Sequence, residues 1–127
     1  MKASLEHVNL TVRNPKKTAK MLVDLFDWRV RWEGESQLGG YTVHVGNDDD
    51  YLAIYAPEHG QDETDGAKSR LGNLNHIGVE VDDLDASEKR VKALGFTPFN
   101  HGNYEPGRRF YFLDDDGVEY ELVSYQQ

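Results

Sequence analysis

The chain has 127 residues, which is the size of one ordinary domain, and its 14 Lys plus Arg against 23 Asp plus Glu give a formal charge of −9. That balance argues against nucleic acid and anionic membrane surfaces as partners. With no cysteine, it also excludes thiolate nucleophiles, disulfides and Cys-ligated metals. No apolar run approaches the roughly 20 residues that span a bilayer, and the opening residues lack the apolar stretch of a secretory leader, so a cytoplasmic protein is expected.

The first predicted element is a strand over Leu5–Val12, in which apolar residues alternate around His7. Asn14 can cap a following helix, Pro15 suits its first turn, and Met21, Leu22, Leu25 and Phe26 make its apolar stripe. Strands are then expected over Trp28–Trp32, Tyr41–Gly46 and Tyr51–Tyr55, with Asp48, Asp49 and Asp50 in a hairpin turn. The polar stretch Glu58–Lys68 reads as a connection.

The same order then recurs. Leu74–Asp83 repeats the apolar-x-His-apolar-x-apolar-x-Val pattern around His76, and Asp83 can cap a helix carrying Ser87, Val91 and Leu94 that stops at Gly95. Strands are expected over Phe96–Phe99, Arg109–Leu113 and Val118–Val123, the last two joined by a turn at Asp114–Gly117. The chain therefore reads as α+β, with two βαβββ modules at 1–57 and 72–127 joined by a linker at 58–71.

The repeat also selects residues. His7 and His76 are equivalent, and aligning the last strands sets Ala53 against Glu121. Two imidazoles and one carboxylate that leave coordination positions open suit Fe(II), and equally Mn(II) or catalytic Zn(II). The alternative is two ordinary strand histidines and a solvated glutamate. The Asp triplets lack the spacing of a calcium loop and read as solvated turns.

Paired modules opening on these histidine strands and closing on Leu113-Asp114-Asp115-Asp116-Gly117-Val118-Glu119-Tyr120-Glu121-Leu122 resemble the vicinal oxygen chelate superfamily. That superfamily includes glyoxalase I, extradiol dioxygenases, fosfomycin resistance enzymes and metal-free bleomycin-binding proteins. The resemblance implies strands curled into a cup-shaped mixed sheet around a divalent metal held by His7, His76 and Glu121, a small-molecule substrate with vicinal oxygens, and a homodimer. His101, Tyr111, Asp114, Gly117 and Glu121 further resemble the extradiol signature. It departs at Asp115, where proline is usual. That likeness implies His101 as proton shuttle, Tyr111 as substrate contact and Fe(II) as the favoured metal.

A glyoxalase I-like lyase or isomerase, using Zn(II), Ni(II) or Co(II), is the alternative, although its usual fourth ligand would fall at Ala53. A metal-free binding protein is a third reading. Fosfomycin resistance needs a cationic pocket, and of the adjacent Arg108 and Arg109 only one can face it from a strand. Trp28, Trp32, Tyr41 and Tyr104 are candidate wall residues, with core packing as their plainer role.

Overall fold

A computed structural model describes residues 1–36, 39–60, 69–104 and 107–125, with only the backbone of Tyr104. The central part of the expected linker, Gln61–Lys68, lies outside the described residues. The chain divides into two compact units, Met1–Asp62 and Glu63–Gln127.

In the first unit, β1 (His7–Thr11) leads into α1 (Pro15–Phe26), followed by β2 (Arg29–Glu35), β3 (Tyr41–Gly46) and β4 (Tyr51–Ala56). Asn14 caps α1 as expected, its side-chain oxygen accepting from the Lys17 N–H at 3.2 Å. Pro15, Thr18, Ala19, Leu22 and Leu25 form the buried stripe of the helix. Asp27 ends it in the left-handed region (φ 58°), and its N–H returns to the Val23 carbonyl. The stripe covers one face of a four-stranded sheet of order β1-β4-β3-β2, where Val43, Val45 and Ile54 are fully buried.

The second unit repeats the plan with β5 (Ile77–Glu80), α2 (Leu84–Ala93), β6 (Phe99–Tyr104), β7 (Gly107–Leu113) and β8 (Glu119–Ser124), in a sheet of order β5-β8-β7-β6. Asp83 caps α2 by accepting from Ala86 N–H at 3.0 Å. Leu84 and Val91 of the helix are buried, as are Phe110, Phe112, Tyr120 and Leu122 of the sheet.

One expected strand is displaced. Phe96 does not open β6, because it belongs to the end of α2. Gly95, at φ 92°, sends its N–H to the Lys92 carbonyl, and the Phe96 N–H bonds the Val91 carbonyl. This is the paired closure of a helix end on a left-handed glycine, with the apolar residue after it folding back to pack. Phe96 accordingly lies 5.3 Å from the Phe112 ring, and the strand begins only at Phe99.

In each sheet the first strand runs parallel to the last, and this register places the candidate residues. Asn9 faces Ala53 across β1 and β4, and Gly78 faces Glu121 across β5 and β8. Asn9 and Gly78 each stand two residues after a repeat histidine, so Ala53 and Glu121 are equivalent. On the antiparallel side, His44 faces Ala53 and Tyr111 faces Glu121. Strand alternation then puts His7, His44, Tyr51 and Ala53 on the face of the first sheet away from α1. His76, Tyr111 and Glu121 occupy the matching face of the second.

Candidate metal centre

In the second unit His76 stands immediately before β5. Its Nδ1 is 2.8 Å from the Asn75 side-chain oxygen, and its Nε2 is 3.0 Å from Glu121 Oε1. In the tautomer whose Nδ1–H donates to Asn75, the Nε2 lone pair faces the carboxylate, and the two could serve together as ligands of a metal ion. Two cis ligands about 2.1 Å from an octahedral ion are about 3.0 Å apart, so this donor pair has the spacing of a divalent-metal bite. The other carboxylate oxygen, Oε2, accepts from Arg109 Nη1 at 2.9 Å. The Glu121 and Arg109 side chains are only 11% and 16% exposed.

In the first unit His7 is held the same way. Its Nδ1 is 2.8 Å from Glu6 Oε1, the residue before it, as Asn75 precedes His76. A carboxylate or amide oxygen fixing Nδ1 is the usual way to orient an imidazole whose Nε2 serves as a ligand. The His7 ring stacks on Tyr51 at 5.1 Å, Tyr51 lies 4.6 Å from His44, and His44 lies 5.1 Å from Trp32. One aromatic ring from each of the four strands therefore makes a continuous stripe across the sheet. The Arg31 guanidinium sits 4.4 Å over the Tyr51 ring.

His44 is the residue that the sequence reading passed over. Burial, and then the positive potential of His7 and Arg31, hold its imidazole below the ordinary value of 6.5, while Glu6 pulls the other way. Its neutral form is thereby favoured. The repeat could have found it, since His44 is the first-module counterpart of Tyr111.

The expected residues do not all meet. Tyr111 shares a face with His76, 5.9 Å away edge-to-face. His101 does not join them. It stacks on Phe110, and its Nε2 is 3.0 Å from Glu88 of α2, so it lies on the helix side of the sheet. The cause is a register shift in β6 between Phe99, which pairs with Tyr111, and Gly102, which pairs with Arg109. Arg108 and Arg109 do point to opposite faces, Arg108 toward Asp85 of α2 and Arg109 toward Glu121. Trp32 joins the stripe, whereas Trp28 packs on Phe26, and Tyr41 donates to Glu33 at 2.7 Å beside Lys16 on the α1 side. Among the described residues, no group of three or more His, Asp or Glu side chains gathers closely enough to hold a metal. His76 and Glu121, both in the second unit, stand together.

Twin βαβββ units, each opening on an oriented histidine, define a class of paired-module proteins. Residues 6–112 match the family model of the Glyoxalase/Bleomycin resistance protein/Dioxygenase superfamily, and the chain belongs to that superfamily. No curated relative matches the sequence.

Among solved structures, the chain is similar to a glyoxylase/bleomycin resistance protein/dioxygenase domain from Frankia sp. EAN1pec (22% identity, TM-score 0.81, covering 98% of this chain and 93% of that one). It is similar to the fosfomycin resistance protein FosX from Mesorhizobium loti (27%, 0.71, 97% and 92%). A FosX variant from Listeria monocytogenes, complexed with Mn(II) and 1S,2S-dihydroxypropylphosphonic acid, has the same fold (23%, 0.73, 97% and 93%). Members of this superfamily are often metalloenzymes. No helix among the described residues is long and apolar enough to cross a membrane.

Proposed function

We propose that this chain is a divalent-metal-dependent enzyme that acts on a small substrate chelating through adjacent oxygens. His7, His76 and Glu121 would hold the metal, and His44, which shares a sheet face with His7, would be the base. The observation that carries the reading is the 3.0 Å approach of His76 Nε2 to Glu121 Oε1 while Nδ1 is engaged by Asn75. When bound, the ion supplies Lewis-acid polarisation of substrate oxygens. Glu6 and Asn75 keep the two Nε2 lone pairs available. His44, its neutral form favoured, takes a proton from substrate or water, and its neighbour Trp32 offers a flat wall for the organic part.

This reading favours proton-transfer or hydrolytic chemistry over ring cleavage. The dioxygenase expectation relied on His101 and Tyr111 acting together, and they face opposite sides of their sheet. The glyoxalase-like arrangement lacks a fourth ligand, because Ala53 occupies the position equivalent to Glu121. Mn(II) is the first metal to test, as the FosX relative from Listeria binds it. Fe(II) follows for the ring-cleavage alternative. A homodimer belongs to the same proposal and is checked by sedimentation.

The test is anaerobic titration of the protein with Mn(II) and Fe(II), beside His7→Ala, His76→Ala and His44→Gln. One ion per chain is expected, lost in the first two variants and kept in the third. An unchanged His7→Ala would remove that residue from the ligand set, and no binding by the wild type would hand the chain to the metal-free binding reading. Turnover of an epoxide phosphonate or a hemithioacetal that fails in His44→Gln with metal retained supports the base. Oxygen uptake with catechols would restore the dioxygenase reading.

A further inference from the structure

Resting on the proposal that Glu121 is a metal ligand, we infer that Arg109 is its positioning residue: it withholds one carboxylate oxygen and thereby aims the other at the metal. The two Glu121 oxygens have different partners. Oε1 faces His76 Nε2 at 3.0 Å, and Oε2 accepts from Arg109 Nη1 at 2.9 Å. Arg109 reaches this oxygen from β7, where it pairs with Val123, one alternate position along the same face from the Tyr111–Glu121 pair.

A guanidinium present only to neutralise a buried carboxylate would take both oxygens in its planar fork. Here Arg109 Nη1 takes Oε2, while Oε1 is the oxygen that faces His76. The arrangement sets the carboxylate plane, leaves one oxygen for the ion, and does not titrate, because the guanidinium stays charged at every working pH. Outer-sphere partners of this kind fix the orientation of a ligand before the ion arrives.

The two roles give opposite signs. If Arg109 positions Glu121, its removal weakens metal binding. If it merely substitutes for a cation, its removal frees the carboxylate and tightens binding. The experiment is Mn(II) titration of the full chain, following free Mn(II) by electron paramagnetic resonance, for wild type, Arg109→Met and Arg109→Lys.

Arg109→Met is expected to bind Mn(II) about 10–100-fold more weakly, the range for outer-sphere substitutions, with Arg109→Lys in between. Unchanged or tighter binding by Arg109→Met overturns the inference, as does a lower melting temperature with an unmoved Mn(II) affinity. Should Arg109→Met not fold, Arg109→Lys decides: weaker binding supports the role, equal binding overturns it. Failure of the wild type to bind any Mn(II) or Fe(II) overturns the metal proposal itself and this inference with it, a result distinct from binding that ignores Arg109.

Discussion

Replacing Glu121 in two ways separates its charge from its hydrogen bonds. Glu121→Gln keeps the shape: the amide oxygen can accept from Arg109, and the amide N–H can donate to the lone pair on His76 Nε2. What is lost is the ionic character of two contacts made by a side chain 11% exposed. Hydrogen bonds to a charged group are worth about 1.5–3 kcal/mol and neutral ones about 1, so over two contacts the metal-free protein should lose about 1–4 kcal/mol. Glu121→Ala instead removes the carboxylate from beside a guanidinium that is itself 16% exposed. Removing one partner of a buried pair costs about 3–5 kcal/mol. For a chain of this length the melting temperature moves about 4 °C per kcal/mol, so shifts of about 4–16 °C and 12–20 °C are expected, with the Gln variant the less affected. Urea denaturation and thermal melts of both variants in chelator measure the difference. Equal losses for Gln and Ala, or an Ala variant within about 1 kcal/mol of wild type, would mean that the pairing with Arg109 and His76 contributes nothing and that the geometric argument is wrong.

Three further outcomes can be checked. The folded-state value of His44 lies below 6.5, so the unfolded chain binds more protons in that window. Its contribution is therefore present above 6.5 and is lost as the pH falls through the folded value, and denaturation curves across pH 5–7 should be flatter for His44→Gln than for wild type. Gly46 closes the β3–β4 hairpin, where an added β-carbon would overlap the Asp50 carbonyl and the Tyr51 backbone. Gly46→Ala should cost about 1–3 kcal/mol and should disturb the Tyr51–His44 contact, visible as a shift in the His44 ring proton resonances. Leu22 of α1 is fully buried, and Leu22→Ala should lose about 2–5 kcal/mol in urea; a loss below about 1 kcal/mol would count against the packing described.

Sequence alone determined the elements whose causes are local. Asn14 and Asp83 are helix caps because a short oxygen-bearing side chain reaches the free N–H groups of the first turn, and the β3–β4 and β7–β8 turns fall on their Asp runs. The repeat likewise predicts that Ala53 matches Glu121, since a parallel pairing repeated in register carries equivalent positions to equivalent places.

The tertiary structure decided what depends on pairing between distant strands. A register shift in β6, where Asn100 takes the left-handed region at φ 55°, turns His101 toward Glu88 and away from Tyr111. Phe96 looks like a strand residue by its neighbours but is drawn into the end of α2 by its packing on Phe112. His44 and Arg109 acquire their roles only from what β3 and β7 lie beside. Strand alternation limits each to one of two faces, but which face meets a histidine, a carboxylate or a helix is fixed by the sheet as a whole.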